Sequence, residues 1–154
     1  ARKGFVLKTV NERDVMELYS VIGVLDGFAA KLACPHLTEN DLMDLAFYID
    51  AMDLAIASGN YSMYDKHQII FHQLYIEKCG NSVLINTIGR TKSKLLKRTY
   101  IDNPDEKFNE ILYATNQEHR DILALFQKKD VTGLFRFLSE VHWRPVSAPF
   151  EVIL

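Results

Sequence analysis

Five histidines occur in this 154-residue chain, and three fall where helices would carry them inward. His72 follows Phe71 and comes one turn before Ile76. His119 stands between Thr115 and Ile122. His142 comes one turn after Leu138. A neutral imidazole is a good ligand for a divalent first-row metal. Three imidazoles from separate helices, meeting in one cavity, would leave further coordination positions open to a ligand. The ordinary alternative for each is a core histidine with hydrogen-bonded ring nitrogens. Periodicity leaves both readings open, because it does not say whether the three rings face one another. The other two histidines carry less. His36 stands near Cys34 in "CPH", a helix stop with no partner pair of ligands, and His67 lies off the face that holds Gln68 and His72.

The second chemical feature is a basic run, "GRTKSKLLKRTY" (Gly89–Tyr100). Arg90, Lys94, Lys97 and Arg98 can share one side of a helix, whereas Lys92 points elsewhere. These side chains form either a solvated face or, if one or two turn inward, a partner for an anionic ligand. Enzyme motifs are absent: there is no G-x-G-x-x-G, Walker loop, G-x-S-x-G or H-E-x-x-H. The Glu-x-x-His pairs of di-iron bundles are missing too, since Glu118 and His119 are adjacent and Glu140 and His142 have the wrong spacing. A catalytic metal would want a general base, for which Glu118 or Asp65 would have to serve. The two cysteines, Cys34 and Cys79, form no C-x-x-C pair and read as reduced, buried thiols of a cytoplasmic protein.

The elements that must position these residues are helices. Asn11 can cap a first helix, in which Val15, Leu18, Val21, Ile22, Leu25, Phe28, Ala29 and Leu32 recur at three- and four-residue steps. Pro35 stops it. "TEND" (Thr38–Asp41) resembles a capping box with Asp in the acidic place. From there Leu42, Leu45, Ile49, Met52 and Ile56 carry a second helix to "SGN". The pattern predicts a third helix from about Ser62 to Cys79, with Gly80 and Asn81 as stop and restart. A fourth is expected from about Ser82 to Arg98, and a fifth from about Asp105 to Lys128 behind Pro104. A sixth follows Asp130 to about Trp143, ended by Pro145. "GFVLKTV" (Gly4–Val10) reads as a strand or extended arm, and the tail "APFEVIL" as a short strand or a packed end. The expected fold is all-α: an antiparallel bundle of six to seven helices with short connections and a short extended N-terminal arm. Several helices are apolar over more than one face, which points to a dimer interface.

Composition narrows the classes further. Hydrophobic residues make up 48% and charged residues 25%, which suits one globular domain. A formal net charge of −2 argues against a DNA reader acting by itself. No apolar run is expected to span a bilayer, and the start lacks a signal-peptide pattern.

Several segments in order resemble the effector-binding C-terminal domain, the FCD domain, of GntR-type transcription regulators of the FadR subfamily. "ELYSVIGVLDGFAAKLA" (Glu17–Ala33) is similar to its first helix, and "LTENDLMDL" to its second-helix start. "FHQLYIEKCGNSVL" (Phe71–Leu84), "EHRDILALFQKKD" (Glu118–Asp130) and "FLSEVHW" resemble its later signatures. "ARKGFV" resembles the end of a winged-helix wing. The resemblance covers nearly the whole chain. It implies residues 1–10 as wing and linker and 11–154 as an all-helical effector-binding and dimerisation domain, with the DNA-binding domain outside this chain.

It also implies a bacterial, cytoplasmic regulator and no enzyme. The domain would form a homodimer and bind a small anionic metabolite, commonly a carboxylate, reaching DNA through the winged helix rather than through this chain. No membrane association is implied. Many members hold a divalent metal, zinc, nickel or similar, on one Asp and three His. The matching positions here are Gln68 in the Asp place, His72 and His119. The last histidine is expected at 141, which is Val141, and His142 comes one later. A single step turns a helix by about 100°, so His142 joins the set only if its helix is locally shifted. The family's first-helix Arg appears as Ile22 and the acidic residue after it as Asp26. The implied effector-facing residues are Arg90, Lys94, Arg98, Asn81 and Tyr75. The alternatives are a metal-independent dimerisation scaffold and a metal-dependent enzyme.

Overall fold

The computed structural model describes residues 12–95 and 106–145. Among them are six α-helices and no strand: α1 (Glu12–Ala33), α2 (Glu39–Ala57), α3 (Tyr61–Glu77), α4 (Ser82–Lys92), α5 (Glu106–Gln127) and α6 (Val131–Phe137). The all-α bundle expected from periodicity is the observed architecture. The N-terminal arm, Pro104 and the apolar tail lie outside the described residues.

Local chemistry sets the helix starts. Thr38 and Asp41 form the reciprocal capping box at the head of α2. Asn60, Asn81 and Asp130 each accept a backbone N–H at the heads of α3, α4 and α6. Gly59 and Gly80 sit in the left-handed region at φ 67° and 70°, where a side chain would be strained.

The central element is α1, which packs against α3, α4 and α6, while α2 packs against α3 and α5. By length and composition the stretch Arg13–His36 could cross a membrane, a point the reading of single apolar runs missed. Half of it is buried within the bundle, as a central helix requires. Gly27 lets α6 lie close on it, and Gly23 does the same for the residues that follow α6. A Cβ at 27 would come 2.9 Å from the Phe135 carbonyl oxygen, and one at 23 would come 3.0 Å from Trp143 Cβ.

Two helix ends differ from expectation. α4 is regular only to Lys92 and closes through a turn to Leu95, where the sequence suggested a helix to Arg98. Thr87, Thr91 and Ser93 return their hydroxyls to carbonyls three or four residues back, a contact that competes with regular helix bonding. The sixth helix is not α to its end. Leu138–His142 form a π turn, in which the Trp143 N–H reaches the Leu138 carbonyl at 3.1 Å, five residues back.

Candidate metal centre

The π turn decides where the third histidine goes. One extra residue in a turn rotates everything beyond it, and here it carries His142 inward. His72 from α3, His119 from α5 and His142 meet in the core at 4%, 0% and 5% exposure. Their ligand-capable nitrogens all lie within 4.8 Å of one another, and His72 Nε2 is 3.1 Å from His142 Nε2. The shift that the one-residue offset demanded is present.

The groups behind the rings fix which nitrogen carries the proton. Tyr75 donates its only hydroxyl proton to Asp26 Oδ1 at 2.6 Å. His72 Nδ1, 2.7 Å from the Tyr75 oxygen and 3.1 Å from Asp26 Oδ2, therefore holds the hydrogen on that side. Asn116 uses its amide hydrogens on the Ile49 carbonyl and Asp53. Its oxygen is left facing His119 Nδ1 at 3.1 Å, so that nitrogen donates. His142 Nδ1 donates to Glu118 Oε2 at 3.0 Å. Each ring thus has its Nδ1 engaged behind it, which leaves Nε2 as its ligating atom; His72 and His142 bring theirs together, and His119 Nε2 is buried without a hydrogen-bond partner. This is the arrangement of metal-ligating histidines, whose other nitrogen is held by a carboxylate or amide. Tetrahedral Zn–N bonds of about 2.0–2.1 Å would set the nitrogens roughly 3.3 Å apart, close to the His72–His142 separation. The residues present fit a three-histidine divalent metal site.

A family model for the FCD domain matches residues 17–141. The chain belongs to the FCD domain family. This is the effector-binding C-terminal domain of GntR-type regulators. No curated protein matches the chain. The resemblance read from short signatures thus holds over most of the chain, and the FCD domain here is a regulatory, effector-binding module.

Electrostatics keep His72 and His119 of the FCD domain neutral. Burial lowers the His72 pKa to about 4, and the Lys92 charge adds to this against the pull of Asp26. Burial, then the neighbouring His142 and His72, hold His119 well below its ordinary value. The His72–Asp26 contact is therefore a hydrogen bond from a neutral ring rather than an ion pair. Burial alone would raise the pKa of Asp26, but Lys92, His72 and Tyr75 together hold it well below the carboxylate range. Trp143 Nε1 adds a hydrogen bond to it at 2.7 Å. Burial, reinforced by Asp26, raises Tyr75 well above its usual value.

The remaining site residues separate. Tyr75 is wholly buried in the Asp26 network. Asn81 caps α4. Arg90 and Lys94 are exposed and are not brought to the histidines; Arg98 lies outside the described residues. Gln68 is half-buried, bonds Asp65 at 3.2 Å and lines a cavity together with His72. That cavity, about 310 Å³, lies between α3 and α4 beside His72. Its basic residue among those described is Lys92, which sits 4.8 Å over the Trp143 ring and 3.5 Å from Asp26 Oδ2. Sequence reasoning pointed Lys92 away and missed Trp143 and Asn116. The signal was available for Lys92, since positions 84, 88 and 92 form one stripe and Leu84 and Ile88 are buried.

Proposed function

We propose that this domain senses a small carboxylate metabolite at a divalent metal held by His72, His119 and His142. The observation that carries the reading is the set of three buried histidines whose ligating nitrogens lie within 4.8 Å of one another. A zinc-like ion there would supply a Lewis-acid anchor for a carboxylate oxygen. The chain's own part is to hold the three rings through Asp26, Asn116 and Glu118, and to offer the cavity beside His72 to the rest of the ligand. Glu118 accepts from both His142 and Arg144 and Asp26 from four donors. Their use as anchors supports a sensor rather than an enzyme that needs a free general base.

Signalling follows from linkage. A metabolite that binds one arrangement of a homodimer better than another shifts the population by its differential affinity. In this reading the shift changes DNA binding through a separate winged-helix domain. Exposed Val21, Val24 and Phe28 on α1, with Phe135 on α6, support a dimer contact on that side. Elemental analysis of protein purified without added metal tests the proposal. One divalent ion per chain is expected in the wild type and none in His119→Ala. A wild type that neither retains nor takes up a divalent ion overturns the metal sensor and leaves the dimerisation scaffold.

A further inference from the structure

Each ring of the triad is backed by an acid, directly or through an amide, and each acid is already matched by a cation. Asp26 behind His72 has Lys92 at 3.5 Å. Glu118 behind His142 has Arg144 at 2.8 Å. Asp53, which orients Asn116 behind His119, pairs with Arg120. The ligating set itself is three imidazoles, which bring no negative charge to a metal, and Gln68, one turn before His72 on the cavity wall, is an amide. A divalent ion placed on this triad keeps its two positive charges in a buried site. An uncompensated buried charge is costly, so an anion that joins the ion strengthens the centre's hold on it.

The cavity indicates which anion. It is walled by Ile69, Ile76, Ile85, Ile88, Leu95 and Trp143. Its volume equals that of about ten waters in the liquid. Glu77, exposed and bonded to Gln73, also lines it and would repel a second carboxylate. His72 is the triad member on this wall, so a molecule in the cavity approaches the centre from that side.

We infer that the cavity takes a small monocarboxylic acid with an apolar body, and that acid and metal bind cooperatively because the acid supplies the negative charge that the protein's ligands lack. This rests on the metal-sensor reading above and adds the ligand's class and its coupling to the ion. By reciprocity, each must tighten the other by the same factor.

The test is calorimetric titration of Zn²⁺ into the metal-free domain, alone and with saturating hexanoate, succinate or hexanol. Hexanoate is expected to tighten zinc binding by about tenfold or more, within the usual range of coupling between sites. Hexanoate binding should tighten equally when zinc is present. Succinate, which places a second charge among apolar walls, and hexanol, which brings none, should have little effect. Gln68→Glu puts a carboxylate on the same wall. It should tighten zinc binding without acid and bring the hexanoate effect close to none.

Zinc binding that is unchanged by hexanoate overturns the inference while leaving the metal sensor standing. Equal effects from succinate and hexanoate overturn the apolar-body part. No zinc binding under any condition overturns both readings. The wild-type comparison is complete without the variant, so a misfolded Gln68→Glu protein does not spare the proposal.

Discussion

The two sides of the histidine triad are built differently. Behind the rings every nitrogen has a partner, and Asp26, Asn116 and Glu118 are themselves held by Tyr75, Trp143, Asp53 and Arg144. In front are the ligating nitrogens and, past His72, a mostly apolar cavity. The contrast separates two tasks. The polar side fixes where three ligating atoms stand and which tautomer they adopt, which tolerates little change. The apolar side selects the shape of a ligand, which a single side chain can alter without disturbing the triad.

The contrast breaks hardest at Asp26. Asp26→Ala removes the acceptor shared by Tyr75, Trp143, His72 and Lys92. Removing one partner from a buried charged network costs about 3–5 kcal/mol. Urea unfolding should show a loss of that size, and a loss below about 1 kcal/mol would mean that the network does not organise the core.

Acid should attack the same side with a slightly smaller effect. In the folded metal-free protein His72 titrates at about 4, whereas an unfolded histidine titrates near 6.5. Between these values the unfolded chain binds a proton that the folded one refuses, so stability rises with pH and falls on acidification. About 3 kcal/mol should be lost between pH 7 and pH 4 on this account, with His119 adding in the same direction and Asp26 contributing only below its unfolded value of 3.8. Urea midpoints across that range measure it. His72→Gln, which cannot titrate there, should flatten the curve.

Packing beneath the triad gives a further test. Gly27→Ala drives a Cβ to 2.9 Å from the Phe135 carbonyl oxygen, a backbone atom that moves only with α6. Overpacking of this kind costs about 1–3 kcal/mol. The displacement should weaken zinc binding as well, because α6 leads into the π turn that carries His142. An unaltered urea midpoint would show that α1 and α6 have room to separate.

Much of the fold was legible because its signals are local. Caps at Thr38, Asn81 and Asp130 and the apolar steps between them mark helix starts within a few residues. The site was legible in part for the same reason. His72 and His119 lie on regular helices, where a periodic pattern carries over directly. His142 stood one position from where an α-helix would deliver it, and only the five-residue bond from Trp143 to Leu138 restores it. That bond lies in a turn packed against Gly23 of α1, a contact distant in sequence, so no local pattern announces it. Asp26 was legible only through the family resemblance, as the acidic residue that follows Ile22. Its principal partners, Tyr75 and Trp143, are 49 and 117 residues away, a distance at which sequence spacing carries no information.

The smallest expected effects concern the basic run, and they sharpen the comparison on the cavity side. Grouped with one another, Arg90 and Lys94 form a plausible anion-binding face. Grouped with the apolar residues of their own helix, they fall off the inward stripe of Leu84 and Ile88, and Lys92 continues it. Arg90→Ala and Lys94→Ala alter exposed side chains and should each change stability by less than about 0.5 kcal/mol, with zinc and hexanoate affinities unaltered. Lys92→Ala should weaken hexanoate binding, because it removes the cation on the cavity wall that faces Asp26 and Trp143. Zinc calorimetry with hexanoate on the three variants decides the matter. If Arg90→Ala or Lys94→Ala lowers hexanoate affinity as much as Lys92→Ala does, the acid lies along the outer face of α4 and not in the cavity between α3 and α4.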